Sequence, residues 1–326
     1  MPAAVQSRTV SLGSIFATAV LPVVAMAALG YVLGWVKDPD VAPLNTTVVY
    51  VLAPALIFHS VATTALSGRT LVRIVAGVAA FTLVMVVVAE AVGRTIGVRE
   101  PLLSALVLVS AFSNSGNYGI PLSEFAFGAT GRATAVIFLT AQGVLLYTVG
   151  VYIAARSGSD DWTEGVKRVF TVPLVYAVAA ALLGRELDVL PAAGSTAMET
   201  VGLLGDSSIP VMLIILGIEL AGTDYGATLR TVGTATVLKM AVAPVVGLGI
   251  AIALGFGDVT VSRVFIVECA TPSAITPLIL LIEFGDSTEV GGVTVSEFAS
   301  TVVMATMLVS IPALTLLLAL LRSGTV

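Results

Sequence analysis

Ten stretches of this sequence are apolar over about 20 residues each, the length that an α-helix needs to cross a lipid bilayer. They lie at residues 12–35, 43–64, 71–93, 101–125, 132–154, 167–184, 198–220, 229–255, 259–284 and 296–321. Several contain uninterrupted apolar runs, as at 84–89, whereas the strands of a membrane barrel alternate apolar and polar residues. The sequence therefore predicts an all-α membrane protein with ten transmembrane helices.

The low content of charged residues excludes most classes of soluble protein. Only 11% of the 326 residues are charged, against about 25% in soluble domains, so too few charges remain to cover a water-soluble particle. The net charge of −5 also argues against a nucleic-acid partner, because nucleic-acid phosphates attract basic surfaces. With Cys269 as its single cysteine and His59 as its single histidine, the chain is not expected to hold a structural metal ion. We expect it to lie in the lipid bilayer and to carry no cofactor.

A recurring proline spacing divides the chain into two similar halves. Two pairs of prolines recur in equivalent stretches at a spacing of 156 residues: Pro54 with Pro210, and Pro121 with Pro277. The predicted halves, of five helices each, are residues 1–158 and 167–326, with a short central loop at 159–166. Because five is an odd number, the two halves must enter the membrane from opposite sides. Inverted repeats of this kind are typical of secondary transporters.

Residues that disfavour helices interrupt the fourth and ninth stretches. They are Asn114, Asn117 and Pro121 in the fourth stretch, and Pro272, Ser273, Thr276 and Pro277 in the ninth. Backbone groups freed inside hydrocarbon cost several kcal/mol unless they are satisfied, so such a segment must be buried in protein or line a wet cavity. Paired interruptions in corresponding halves predict a binding site near the middle of the membrane. The alternative is that both are proline kinks that only aid packing.

The interrupting residues suit a small anion as the ligand. The amino ends of half-helices carry unpaired N–H groups and a partial positive charge. Asn114 and Asn117 add neutral donors, and Ser273 and Thr276 offer hydroxyl groups from the opposite interruption. The sequence predicts a carboxylate or a similar small anion without specifying which one.

Three ionisable residues within the apolar stretches are candidates for ion coupling. Glu268, one helical turn before Pro272, would bind a coupling proton or Na⁺, or it is a neutral, hydrogen-bonded residue that shapes the interruption. Lys239 would neutralise the anion or pair permanently with an acid. His59 would relay protons or serve as a structural hydrogen-bonding residue. The acids considered as partners of Lys239 are Asp206, Glu219 and Glu90.

An ordered set of residues along nearly the whole chain resembles one family of membrane proteins. The set comprises Leu21-Pro22, Asn45, Pro54, Phe58-His59, Asn114, Gly119-Ile120-Pro121-Leu122, Gln142, Tyr147-Thr148, Lys239, Pro244, Pro272, Pro277 and Pro312. It resembles the auxin efflux carrier (PIN-like) family of ten-helix transporters, in its prokaryotic branch. The resemblance implies a fold like that of the bile-acid sodium symporters, in which helices 4 and 9 are broken and cross at their prolines.

The resemblance also implies a mechanism and a cellular location. A scaffold domain of helices 1, 2, 6 and 7 and a transport domain of helices 3–5 and 8–10 would move relative to each other in an elevator-like manner. The protein would be a homodimer in the cell membrane, with both termini outside and the central loop in the cytoplasm. Asn114, Pro121, Pro272 and Pro277 would frame an organic anion, and Gln142 would lie in a supporting pocket. The implied substrates are dicarboxylates such as malate and malonate, or auxin-like acids.

Departures from the family bear on the substrate and the coupling ion. Nothing acidic occurs between Leu71 and Ala89, where plant members carry an acid, and this weakens the prediction of auxin as the substrate. Glu268 stands where plant members carry a neutral amide, which favours ion coupling. Both H⁺ and Na⁺ remain open as the coupling ion, the latter bound near Asn114 and Glu268.

Two other functions compete with the transport of small carboxylates. The first is a sodium-coupled symporter of larger organic anions, of the bile-acid type. The second is an intramembrane enzyme or sensor that uses His59, Glu268 and Lys239. An enzyme would need a nucleophile and a base or a metal site, and the sequence has neither a Gly-x-Ser-x-Gly motif nor a pair of histidines. We therefore expect a transporter and not an enzyme.

Overall fold

The computed structural model describes residues 12–37, 39–64, 66–156, 173–221, 229–284 and 294–323. The helices within these ranges are α1 (Phe16–Lys37), α2 (Ala42–Thr63), α3 (Gly68–Thr95), α4 (Leu102–Ala111), α5 (Ser115–Ala155), α6 (Pro173–Glu186), α7 (Thr196–Ala221), α8 (Thr231–Leu254), α9 (Val259–Ala270), α10 (Thr276–Phe284) and α11 (Val295–Arg322). Apart from an isolated bridge between Ser113 and Ser273, every regular element in these ranges is helical. The predicted all-α class is confirmed for the part of the chain that the structure describes.

The predicted transmembrane stretches correspond to these helices in different ways. Within the described ranges, seven helices are long and apolar enough to cross a membrane: α1, α2, α3, α5, α7, α8 and α11. The fourth predicted stretch is divided between α4 and the first part of α5, and the ninth between α9 and α10. The sixth, at 167–184, begins outside the described residues and is represented by α6. Ten transmembrane helices in two inverted repeats therefore stay a prediction.

A sharp turn at Gly128 separates the fourth predicted stretch from the fifth within the element α5. Gly128 has φ +65° and ψ −150°, a combination that glycine adopts readily because it has no Cβ. Helix is present on both sides of this residue, but the chain bends back sharply here: a Cβ added to Gly131 would overlap the carbonyl of Ser123, eight residues earlier, whereas residues this far apart in one continuous helix are separated by about 12 Å. Glu124 and Arg132 consequently lie on opposite sides of the kink, one turn from it in each direction.

Widened helical turns accommodate four of the prolines. π-turns at Phe16–Val20, Val48–Leu52, Ser115–Gly119 and Leu238–Val242 each end two residues before a proline. Proline lacks an N–H group and its ring collides with the carbonyl four residues earlier, and a turn with hydrogen bonds to the fifth residue relieves this collision. The resemblance to the family implied a break at Pro121, but the helix is not broken there. It is broken upstream at 112–114, and Pro121 lies inside continuous helix.

Two groups of helices pack more extensively within themselves than with each other. In the first group, α7 packs along α1 and α2, and α6 packs on α2. In the second group, α3 packs against α4, α5 and α8, and α11 packs against α4, α8 and α10. α5 also contacts α1, α2 and α7, so it lies at the boundary between the two groups.

Small residues allow the closest approach of helices in the first group. A Cβ added to Gly217 of α7 would overlap the carbonyl of Ala27 in α1, and one added to Gly30 would overlap the carbonyl of Ile214. Close backbone contact of this kind is how helices associate in lipid, where the hydrophobic effect does not draw them together.

Large apolar side chains cover much of the outer surface. Trp35 of α1 and Ile252 of α8 are 79% and 73% exposed, and further examples occur on α3, α7 and α11. Soluble monomers rarely expose contiguous apolar patches on this scale. The surface instead suits contact with the acyl chains of lipids.

Candidate functional site

The two breaks in the helices lie against each other. The first break is residues 112–114, between α4 and α5, and the second break is residues 271–275, between α9 and α10. The amide of Asn114 donates to the carbonyl of Pro272 at 2.8 Å, and the amide of Ala274 donates to the carbonyl of Phe112 at 3.1 Å. Backbone groups that each break frees from its own helix are thus paired with the other break, as surroundings without water require.

The side-chain amide of Gln142 holds the first break from α5. Its Nε2 donates to the carbonyl of Ser113 at 2.7 Å, and its Oε1 accepts from the amide of Ser113 at 3.1 Å. Only 4% of Gln142 is exposed. Because both ends of its amide are engaged by backbone, Gln142 positions the first break in this structure.

Ser273 has the same kind of role in the second break. Its Oγ donates to the carbonyl of Val109 in α4 at 2.7 Å, and its amide donates to Oγ1 of Thr306 in α11 at 3.1 Å. Ser273 is fully buried. The hydroxyl that the sequence assigned to the ligand therefore caps the end of α4 in this structure.

Lys239 places a fully buried ammonium group behind the first break. Nζ donates to Oγ of Ser113 at 2.6 Å and to the carbonyl of Cys269 at 3.2 Å, and it lies 5.5 Å from the ring centre of Phe81. The Cys269 carbonyl belongs to the last turn of α9, where unpaired carbonyls and the helix dipole favour a positive charge. Neutral oxygens and a helix end therefore hold the ammonium.

The predicted acid partners of Lys239 do not lie beside it where the structure describes them. Asp206 binds Arg132 at 2.6 Å, Glu90 binds Arg94 and Arg156, and the side chain of Glu219 lies outside the described residues. Spacing along a helix could not reveal this, because the oxygen atoms that Lys239 binds belong to the first break and to the last turn of α9, both far from it in sequence.

Glu268 is the buried acid of the site, and it lies against the first turns of α5. Its Oε1 accepts from Oγ of Ser123 at 2.6 Å, and a Cβ added to Gly119 would overlap its carboxyl group. Its Oε2 and the Oγ of Ser115 make no hydrogen bond of ordinary geometry with a described residue, and the Ser115 side chain interacts with the Glu268 carboxyl group. Glu268 and Lys239 interact electrostatically without forming an ion pair. Oε2 of Glu268 can therefore accept a proton, or it can bind a small cation together with Oγ of Ser115.

Three predicted ligand-binding residues have side chains that no described residue binds. Asn114 is 6% exposed, and Asn117 and Thr276 are half-buried. Asn114 is the last residue of the first break, Asn117 lies in the first turn of α5, and Thr276 begins α10. The predicted framing prolines Pro121, Pro272 and Pro277 are buried nearby in sequence.

Sequence reasoning missed the hydroxyl groups that connect the site. Ser113 binds Lys239, and Ser123 binds Glu268, yet serine is too common in membrane helices to single out without a structure. Within the described ranges, no group of three or more histidine, cysteine and acidic side chains could hold a metal ion.

His59 belongs to a separate group of residues, the junction cluster, formed by His59, Glu124, Arg132 and Asp206. Nη1 of Arg132 lies 2.6 Å from Asp206 and 3.2 Å from Glu124. The ring of His59 packs against Gly202, one turn before Asp206, and interacts electrostatically with Arg132 and Asp206. The structure therefore does not bring His59 together with Glu268 and Lys239.

Two segments of the chain match one known family of membrane proteins. A family model described as "Membrane transport protein" matches residues 15–169 and 161–318. The chain belongs to this family. It is the auxin efflux carrier (PIN-like) family that the sequence resembles, so the protein is a membrane transporter that crosses the bilayer several times.

Individual relatives of the transporter cover nearly its whole length. An "Uncharacterized transporter" of Methanothermobacter thermautotrophicus is 28% identical over 300 residues, which are 90% of this chain and 95% of the relative. An uncharacterized transporter of Methanocaldococcus jannaschii is 25% identical over 80% of this chain and 87% of the relative. A protein of Rhizobium meliloti named "Putative malonate transporter" is 25% identical over 94% of this chain and 95% of the relative.

Proposed function

We propose that this protein is a secondary transporter of small organic anions, and that carboxylates bind where the two breaks meet. The observation that carries the proposal is the pairing of the breaks beside a buried ammonium. The side-chain amides of Asn114, in the first break, and of Asn117, in the first turn of α5, bind no described residue. Lys239 adds a positive charge behind Ser113, and the amino ends of α5 and α10 add partial positive charge.

A dicarboxylate of the size of malonate is the substrate class we favour. One carboxylate would bind the side-chain amides of Asn114 and Asn117, and the second carboxylate would reach the start of α10 near Thr276. The name of the Rhizobium meliloti relative supports this choice. Neither break contains an arginine. This fits a small ligand whose carboxylates are bound by side-chain amides and helix ends, without bidentate hydrogen bonds from arginine.

Alternating access would come from a sliding movement between the two groups of helices. We assign α1, α2, α6 and α7 to a scaffold, and α3–α5 with α8–α11 to a moving body that carries both breaks. The more extensive packing within each group supports this division. Because the breaks are bonded to each other, they would move as one unit and keep the binding site intact.

Coupling to an ion is assigned to Glu268. Its Oε2 and the adjacent Oγ of Ser115 offer oxygen ligands for Na⁺ or a place for a proton. A sodium-coupled organic-anion symporter is therefore the second candidate function, and this pair of oxygens is the observation that favours it.

Thermal-shift and uptake measurements test the proposal. Purified protein should be stabilised by malonate and malate but not by the neutral diamide malonamide, because only ligands that bind the folded state raise the melting temperature. Uptake of labelled malonate into proteoliposomes, measured with Na⁺ or choline and at two pH values, distinguishes the coupling ions. No stabilisation by any carboxylate, under any of these conditions, would contradict the proposed substrate class.

Asn114→Ala should weaken carboxylate binding while leaving the fold intact. A hydrogen bond to a charged group contributes about 1.5–3 kcal/mol, so the Kd for the carboxylate should rise roughly 10- to 150-fold. The melting temperature without ligand should stay within about 2 °C of the wild type, because the side chain binds no described residue. Titration calorimetry measures the affinity, and Asn45→Ala in α2 is the control. An unchanged Kd would remove Asn114 from the binding site.

Glu268→Gln should separate transport from its driving ion. The amide keeps the shape of the side chain but can neither gain a proton nor carry the negative charge that attracts Na⁺. Malonate exchange between equal ion concentrations should continue, while the stimulation of uptake by an ion gradient should disappear. Glu199→Gln, an exposed acid in the first turn of α7, serves as the control. A variant that keeps the wild-type ion dependence would give Glu268 a purely structural role.

A further inference from the structure

The junction cluster spans the boundary between the proposed scaffold and the moving body. Arg132 in α5 is mostly buried, with 11% of its side chain exposed, and its Nη1 binds Oδ1 of Asp206 in α7 at 2.6 Å. The same nitrogen lies 3.2 Å from Oε1 of Glu124, which precedes the kink at Gly128. Arg132 thus has one acid partner in each group of helices.

Two atoms of the cluster have unused bonding capacity. Oε2 of Glu124 and Nε of Arg132 are buried, and neither has a hydrogen-bond partner among the described residues. A guanidinium group can bind a carboxylate through two parallel hydrogen bonds. The Arg132–Glu124 contact uses one nitrogen and one oxygen, so a second, bidentate arrangement of the same pair is available.

This unused hydrogen-bonding capacity would allow Arg132 to exchange Asp206 for Glu124 as its main partner. A buried charge that loses its partner is strongly destabilising, so sliding of α5 past α7 would be prevented if Asp206 were the sole acid within reach. Glu124 moves with Arg132 because both belong to α5. It can therefore hold the guanidinium group whenever Asp206 is left behind.

We propose that Arg132 is a two-position switch that locks the junction between the two helix groups. In the present conformation it binds Asp206 and holds α5 against α7. After the movement, which rests on the elevator mechanism proposed above, both oxygens of Glu124 bind it instead. His59 lies on the scaffold side of the junction, where its ring contacts Gly202 of α7.

Cysteine labelling without any substrate tests the switch. Ile209 is 7% exposed and lies three residues after Asp206, on the same face of α7. In a Cys269→Ala, Ile209→Cys background, a membrane-impermeant maleimide reports how often the junction opens. Asp206→Asn should raise the labelling rate about fivefold, because it removes the partner that closes the junction. Glu124→Gln should lower the rate, because it removes the partner of the open state.

Opposite changes in the labelling rates of the two variants distinguish a switch from a general loosening of the junction. If both variants accelerate labelling, or if neither differs from the control Arg94→Gln, the proposal is wrong. Arg94 is a suitable control because its ion pair with Glu90 lies within α3. Asp206 is 60% exposed and glutamine keeps the shape of Glu124, so both variants should fold, which their melting temperatures check. The labelling assay contains no substrate, so changes of the expected signs would support the switch even if no carboxylate bound. If carboxylates bind but the labelling rates do not change as expected, the switch is wrong and the proposed function is unaffected.

Discussion

Lys239→Met is expected to abolish transport and to lower the melting temperature by about 10 °C. Methionine fills a similar volume but leaves Oγ of Ser113 and the Cys269 carbonyl without the ammonium that lies 2.6 and 3.2 Å from them. It also leaves the fully buried Glu268 without its electrostatic neighbour. Leaving the buried charge of Glu268 uncompensated costs about 3–5 kcal/mol, which corresponds to a shift of roughly this size for a protein of this length. Uptake should fall more than a hundredfold, because the positive charge behind the first break is lost.

A second substitution tests whether charge is the cause. In Lys239→Met with Glu268→Gln, neither buried group is ionised, so much of the lost stability should return while uptake stays absent. Lys37→Met, at the exposed end of α1, should behave like the wild type in both measurements. A single Lys239→Met variant with normal uptake would contradict the assigned role of the ammonium. A double variant as unstable as the single one would contradict the electrostatic explanation.

Gln142→Leu is expected to have the second largest effect, because it leaves the amide and the carbonyl of Ser113 unpaired in the protein interior. Each buried, unsatisfied polar group costs about 1–3 kcal/mol, so the free energy of unfolding should fall by roughly 2–6 kcal/mol. Gln142→Glu keeps an acceptor for the amide but has no donor for the carbonyl when ionised. Its stability should lie between that of the leucine variant and the wild type.

Thermal unfolding and hydrogen exchange at the Ser113 amide measure this order. Thr140→Val is the matched control, since the Thr140 hydroxyl binds only the Val136 carbonyl of its own helix. Exchange at Ser113 should be fastest in the leucine variant and unchanged in Thr140→Val. Equal stabilities of Gln142→Leu and Thr140→Val would show that the first break does not depend on Gln142.

The broad features of the fold follow from local properties of the sequence. Apolar stretches of bilayer length predicted helices, and asparagine, glycine and proline inside two of them predicted interruptions. The interruptions are present, but the first lies at 112–114 and not at Pro121. The π-turn at Ser115–Gly119 accommodates that proline, and its formation depends on neighbours that local propensity does not describe.

The chemistry of the site depends on contacts between distant parts of the chain, which the sequence did not reveal. Lys239 binds Ser113 from 126 positions away, and Ser123 reaches Glu268 across 145. No periodic pattern encodes either distance. The sequence left open whether Lys239 neutralises an anion or pairs with an acid, and the structure places its side chain against neutral oxygens. Asn114, Asn117 and Thr276 could be named as candidates from sequence because polar residues in or directly after a break have a local signature, and their contact with a ligand stays a prediction.

An experimental structure with bound malonate tests the central claim most directly. A carboxylate should lie where the two breaks meet, with its oxygens about 2.7–3.2 Å from the side-chain amide nitrogens of Asn114 and Asn117. Malonate bound elsewhere, or α4 and α5 forming one continuous helix through residues 112–114, would contradict it.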